Sequence, residues 1–305
     1  MKNPARHRRS FANSYRTPAA IARALVDLAL IAFSVACVVP LLMIISASFS
    51  AESGIARHGY TLLPVEFSTV AYQFILRDPT QILRAYVVTG VVTALGTMGG
   101  LVITAMLAYA ISRPGFSARR PLSFYVFFTL LFNGGLIPFY LFVVQVLQIK
   151  NSLLALILPL MVNGWNVLIL RTQFAQLPEE LLDAARIDGA SEWRIFFQVV
   201  VPISTPVLAT VALFMMLGYW NDWWLSLLFI DRPELYSIQY LLYNIQASLL
   251  AIQSDPRVLQ ALGGIELPAE TARMAMAVIA IGPIVFVYLF LQRYLVRGIT
   301  IGSIK

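Results

Sequence analysis

Long uncharged runs alternate with short charged segments along the chain. Residues 28–51, 85–112, 121–149, 151–170, 195–221 and 274–292 contain no Asp, Glu, Lys or Arg. A helix rising about 1.5 Å per residue needs roughly 20 mostly apolar residues to cross a hydrocarbon core about 30 Å thick. Each run is about that long or longer, so the pattern predicts an all-α polytopic membrane protein with six spans. A seventh uncharged run, 235–254, holds Ser237, Gln239, Asn244, Gln246, Ser248, Gln253 and Ser254. Unpaired amides are costly in lipid, so this run reads as an interfacial or re-entrant segment.

Composition agrees with the pattern. Of the 305 residues 59% are hydrophobic and 12% charged, and mean hydropathy is +0.77. Soluble domains carry about a quarter of their residues as charged groups, which excludes an ordinary cytosolic enzyme. A net charge of +7 would suggest nucleic acid in a soluble protein. Here it records topology, and no nucleic-acid partner is expected. With the amino terminus inside, fifteen Lys and Arg fall on the cytoplasmic side and seven outside, in line with the positive-inside rule. Both termini are expected in the cytoplasm, with a basic tail over 1–24, a transmembrane domain over 25–297 and a carboxyl tail over 298–305. The first apolar run is longer than a signal-peptide core, and its removal would put every later loop on the wrong side by charge, so it is read as a retained span. The basic tail suits anchoring to anionic membrane lipid. The single cysteine, Cys37, excludes an intramolecular disulfide and a cysteine metal cluster, and the two histidines, His7 and His58, are too few for a histidine-rich metal site, so no metal is expected.

Chemistry-bearing motifs are missing. There is no Gly-x-x-x-x-Gly-Lys-Ser/Thr loop, no Gly-x-Ser-x-Gly elbow and no His-Glu-x-x-His. No catalytic residue and no cofactor is expected in a chain that must borrow its energy source or run on a gradient.

Acidic residues of the cytoplasmic side gather in one loop, 177–206: Glu179, Glu180, Asp183, Asp188 and Glu192. Pro178 can open a helix whose positive amino end suits Glu179 and Glu180, and Gly189 can end it in the left-handed conformation. Ser191 can cap a second helix from Glu192, carrying Ile195, Phe196 and Val199 on one face, with Pro202 stopping it. Two short helices around a glycine turn form a projecting knob. An amphipathic helix lying on the membrane usually presents Lys and Arg, whereas five carboxylates facing an anionic leaflet suit a protein partner.

Within this loop DAARIDGASEWRIFFQVVVP, residues 183–202, resembles the EAA loop of ABC importer permeases. Ala184, Ala185, Gly189 and Pro202 match, while Asp183 stands for the family's glutamate. FNGGLIP at 132–138, NVLILRTQF at 166–174 and QRYLVRGITIGSIK at 292–305 resemble the LplC-type branch of the carbohydrate-importer permeases, related to the smaller maltose-transporter permease. The resemblance implies a type I ABC importer permease fold and half of a pore, completed by a second permease subunit. It also implies a cytoplasmic ABC ATPase dimer that binds the ATP and an extracytoplasmic sugar-binding protein meeting the external segment 231–272. Asp183, Ala184, Ala185, Asp188, Gly189, Glu192, Phe196 and Pro202 are then the expected ATPase-coupling residues. The carboxyl tail with Gly298 and Gly302 either reaches into the ATPase pair or is a positive-inside anchor.

Two clusters are candidates for the solute path. Asn133 and Gly134, beside Gly135 and Pro138 in the third span, can open a helix, which makes either a cavity wall or a packing kink. Tyr219, Trp220, Asn221 and Asp222 close the fifth span. Aromatic faces and carboxylates suit a sugar, and the same aromatics suit an interfacial belt. Gly96 and Gly100 in the second span read as close helix packing. The expected function is the permease subunit of an ATP-driven importer of a sugar or oligosaccharide in a bacterial inner membrane. The alternatives are the same machine for a non-sugar solute, or a gradient-driven secondary transporter.

Overall fold

A computed structural model of the chain describes residues 16–254 and 268–301. The amino-terminal residues 1–15, residues 255–267 of the external segment and residues 302–305, with Gly302, lie outside the described residues. Those described are mainly helical, and the strand-like pairing among them is one bridge between Ser50 and Phe67. The chain divides into two compact units, 1–74 with 262–278 and 75–261 with 279–305.

The first unit contains α1 (Arg16–Ser48), α2 (Glu52–His58), most of α3 (Val70–Ile75) and the start of α14 (Ala269–Ile301). α1 is apolar from Ala22 onward, and its side chains from Ala22 to Val38 are all exposed. Such a surface is stable only in a non-aqueous setting or under a partner. Glu52 fixes the start of α14: its carboxylate accepts from the backbone N–H of Glu270 (2.9 Å) and Thr271 (3.0 Å) and from the Thr271 hydroxyl (2.8 Å). An anion at the positive end of a helix satisfies donors that the helix itself leaves free.

The second unit is built on α4 (Pro79–Ser112), capped by Asp78, whose side chain accepts from the N–H of Gln81. After it come α5 (Arg119–Leu131), α6 (Leu136–Leu141), α7 (Leu153–Ile157), α8 (Gly164–Phe174), α9 (Glu179–Ile187), α10 (Glu192–Ile195), α11 (Thr205–Trp220), α12 (Trp224–Phe229) and α13 (Ile238–Ser254). α4 packs against α8 and α11, and α13 joins it where the N–H of Ile238 donates to Thr89 Oγ1 at 2.8 Å.

Two helices, Ala22–Ser48 and Pro79–Ser112, are long and apolar enough to cross a membrane alone. Three bent pairs meet the same test together: Arg119–Leu131 with Leu136–Val146 (118°), Leu153–Leu160 with Gly164–Phe174 (48°), and Glu192–Ile203 with Thr205–Trp220 (85°). Two to five spans therefore stand among the described residues, where the sequence predicts six. The sixth expected run, 274–292, lies within α14.

Each bend has a local cause. In the third run the helix opens where expected: Gly135 is left-handed (φ +88°), and the Asn133 side chain accepts from its N–H at 2.8 Å. In the fourth, Pro159 sits in a 3-10 turn (Leu158–Leu160), and Asn163 caps the new helix by accepting from the N–H of Trp165. In the fifth, Pro202 does not stop the helix. A π turn over Phe196–Val200 shifts the hydrogen-bond register ahead of the proline, helix continues over Val201–Ile203, and the break falls at Ser204. The Thr205 hydroxyl donates to the carbonyls of Val201 and Pro202, replacing partners lost at the break.

Gly96 and Gly100 do provide close packing. A Cβ on Gly96 would meet the Tyr219 ring at 2.3 Å, and one on Gly100 would meet the Met161 carbonyl oxygen at 2.5 Å. Gly218 in α11 faces open space. Thermal unfolding in detergent should therefore separate two identical changes. Gly100→Ala is expected to destabilise by about 1–3 kcal/mol through overpacking, and Gly218→Ala to stabilise by up to about 1 kcal/mol through helix propensity.

Candidate functional site

The loop 177–206 folds into the two helices its sequence suggests. α9 begins after Pro178 with Glu179 and Glu180 in its first turn, and Gly189 follows it with φ +79°. Ser191 then caps α10, its hydroxyl accepting from the N–H of Arg194. One face of this knob is buried. Leu182 of α9, with Ile195, Phe196 and Val200 after it, joins Tyr109 of α4, Phe174 of α8 and Met215 of α11 in a single apolar core. The knob is thus packed onto the ends of the long helices.

Polar bonds lock the same joint. Arg186 bridges both helices of the knob, Nη1 donating to Asp183 (2.8 Å) and Nε to Glu192 (2.9 Å). Glu192 and, after it, Asp183 hold the Arg186 guanidinium above its already high ordinary pKa. Glu192 also accepts from the Tyr109 hydroxyl at 2.9 Å, tying α10 to α4. Arg113, 9% exposed at the end of α4, donates to the Phe174 carbonyl and to the Ser112 hydroxyl, and lies 5.3 Å from the Tyr109 ring centre. Tyr109, Arg113, Phe116, Leu182, Arg186 and Trp193 line a cavity of about 730 Å³ at this joint.

The outer rim of the knob is exposed. Ile187 is 86% exposed and Trp193 62% exposed. Gly189, Asp188, Ala184, Glu179 and Glu180 are exposed, and Ala185 is half-buried. A side chain at Gly189 would meet no neighbour within this chain, so its cost there is the left-handed backbone alone. Of the expected coupling residues, Asp183, Glu192 and Phe196 thus organise the knob, while Asp188 and Gly189 lie on its rim. Ile187, Trp193, Tyr109, Arg113 and Arg186 escaped the sequence reading. Arg186 was legible from its i+3 spacing to Asp183, whereas Tyr109 lies 83 residues from Glu192 and carries no local signal.

The solute-path candidates fall into two separate groups. Asn133 and Gly134 are exposed in the break of the third run. Tyr219 and Trp220 are buried with their polar atoms engaged: the Tyr219 hydroxyl donates to the Ile157 carbonyl (2.7 Å), and Trp220 Nε1 donates to the Ala280 carbonyl (3.0 Å). Asp222 accepts from the N–H of Leu225 at the start of α12, and Asn221 accepts from Gln239. No hydrogen bond or ring contact joins the two groups among the described residues. Beyond Asp222 the aromatic cluster is more open, with Trp223 stacked on Tyr243 (4.8 Å) and edge-on to Trp224 (5.6 Å). Lys150 and, after it, Asn151 hold Asp231 by ion pair and hydrogen bond, which keeps the Asp231 carboxyl below its ordinary pKa. Among the described residues no three His, Cys, Asp or Glu are grouped to hold a metal ion.

A knob of two helices fused to bent, lipid-compatible helices is the architecture of a transporter's membrane subunit. Residues 100–301 match the family described as the binding-protein-dependent transport system inner membrane component, and the chain belongs to it. It is 36% identical over 276 residues to the polygalacturonan/rhamnogalacturonan transport system permease protein YtcP of Bacillus subtilis (strain 168), covering 90% of this chain and 95% of that one. To Protein LplC of the same organism it is 37% identical over 270 residues, covering 88% and 89%. Among solved structures, a bacterial ABC transporter involved in the import of the acidic polysaccharide alginate has a chain that matches with a TM-score of 0.73 and 26% identity, covering 92% of this chain and 97% of that one. The chain is thus a permease subunit with the ABC importer permease fold.

The bonds around Arg186 generate a prediction on local stability. Arg186→Gln should raise backbone hydrogen exchange over 186–192 about fivefold, because losing an exposed two-carboxylate bridge costs at most about 1 kcal/mol. Glu180→Gln, which breaks no bond, should leave exchange unchanged.

Proposed function

We propose that this chain forms half of the translocation pore of an ATP-driven importer of sugars or oligosaccharides, with six spans and both termini in the cytoplasm. A second permease subunit completes the pore, an extracytoplasmic binding protein delivers the solute, and a cytoplasmic ABC ATPase dimer binds and hydrolyses the ATP. The chain itself contributes no catalytic residue and no cofactor. The observation that carries this reading is the knob of α9 and α10, whose inner face shares one core with α4, α8 and α11 while its rim stands exposed.

Mechanically, an ATPase cleft that grips the rim pulls on residues continuous with that core. Packed cores shift between discrete arrangements rather than stretch, so closure of the ATPase pair turns α4, α8 and α11 together and alternates access to the pore. Asp183 and Glu192 serve this transfer through Arg186, and Asp188, Gly189 and Ile187 meet the ATPase. Asn133 and Gly134, in the opened helix, face the solute path. The group from Tyr219 to Asp222 shapes its wall through packing. Relatives named for polygalacturonan/rhamnogalacturonan and alginate make uronic-acid oligosaccharides the first class to screen.

The test is to tag the chain in its host, extract it in mild detergent and identify what co-purifies. Wild type is expected to bring an ABC ATPase and a second permease, and Gly189→Asp to lose the ATPase and stimulated ATP hydrolysis. Wild type recovered reproducibly without either partner would defeat the proposal.

A further inference from the structure

A second cavity of about 730 Å³ lies on the other side of the 114–116 turn, lined by Ser117, Arg119, Arg120, Ser123 and Arg171. No acidic residue lines it. Its three arginines come from two helices, Arg119 and Arg120 from the first turn of α5 and Arg171 from the last turn of α8. None of the three has an ion pair or a side-chain hydrogen bond among the described residues, although Arg186, Arg113 and Arg273 are all engaged. Three guanidinium groups around one cavity without a counter-charge repel one another, and an anion resolves that cost. A second observation points the same way. The Ser123 hydroxyl is shielded from solvent and has no hydrogen-bond partner, although a helical serine can bond the carbonyl one turn back. The amino end of α5 adds its positive dipole, since Ala118 offers no side-chain cap.

We infer that this cavity binds the phosphate of an anionic phospholipid, held by Arg119, Arg120 and Arg171 and by the Ser123 hydroxyl. A lipid fits better than free phosphate because the helix that supplies two of the arginines continues into an exposed aromatic surface of Phe124, Tyr125, Phe127 and Phe128. Acyl chains can lie there while the phosphate sits at the end of the span. The inference rests on the proposed orientation, which puts these helix ends on the side where anionic lipid concentrates. It does not depend on ATPase coupling.

The test uses the full chain with its co-purifying subunits, stripped of lipid and transferred to nanodiscs of phosphatidylcholine and phosphatidylglycerol in equal amounts. Retained lipid is read by native mass spectrometry. Wild type is expected to hold phosphatidylglycerol preferentially. Arg119→Gln with Arg171→Gln should lower that preference about thirtyfold, each arginine acting as one lipid-facing charge, and Arg119→Lys with Arg171→Lys should keep most of it. Equal retention of both lipids by wild type, or an unchanged preference in the Gln pair, overturns the site. Displacement of the lipid by inorganic phosphate, but not by chloride at equal ionic strength, would make soluble phosphate the ligand and overturn the lipid. Loss of a co-purifying protein from the Gln pair with lipid retention unaltered would make the cavity a protein contact and overturn it as well. Gly189→Asp should keep the wild-type lipid preference, so failure of the coupling proposal and failure of this one read out separately.

Discussion

The close approach of α4 and α11 is the constraint on which the second unit depends. Two missing side chains make it possible: Gly96 receives the Tyr219 ring, and Gly100 receives the Met161 carbonyl and the Met215 side chain. In a membrane, apolar area drives little association between helices, so contact must come from backbones that can approach and from hydrogen bonds that lipid cannot replace. α4 supplies both. It carries the glycine notch at its middle, accepts the N–H of Ile238 on Thr89, and ends in Tyr109 and Arg113. The position of the knob is thus inherited from a packing decision several turns away on the same helix.

The second organising fact is that three of the long apolar runs are broken. A break in lipid exposes donors and acceptors, and each break here comes with its own remedy: Asn133 at Gly135, Asn163 at Trp165, Thr205 at Val201 and Pro202. Such breaks are tolerated only where protein or water covers the backbone. The bend of 118° opens at exposed Asn133 to Gly135, whereas the bend of 85° falls at Ser204, which this chain buries itself.

How much of this was legible depended on the range of the signal. Pro178, Gly189 and Ser191 act within one turn of themselves, and the knob formed as their chemistry dictates. The opening at Asn133 to Gly135 was equally local. Pro202 misled, because a proline's effect depends on hydrogen-bond register, and a π turn upstream removes the clash that would otherwise end the helix. Pro159 and Ser204 hid their bends in runs that composition alone presents as continuous. The bonds at the joint beneath the knob, Tyr109 to Glu192 and Arg113 to Phe174, join residues far apart in sequence. Periodicity cannot report such pairs, since it describes one element at a time.

Charge is divided between the two sides of the 114–116 turn. On the knob, two of five carboxylates are spent on Arg186, which leaves Glu179, Glu180 and Asp188 as the net acidic face beside exposed Ile187 and Trp193. Across the turn, Arg119, Arg120 and Arg171 stand without acids. A simple exchange of partners would neutralise both sides, yet the chain does not make it. Pairing them internally would join the knob to α5 and consume the charges that each side offers outward. Holding opposite charges apart, a few residues from each other, costs folding stability and preserves two chemically distinct surfaces: an acidic and apolar one suited to a protein, and a basic one suited to an anionic leaflet. Part of the positive excess read from the sequence is gathered in this way, from two helices around one cavity.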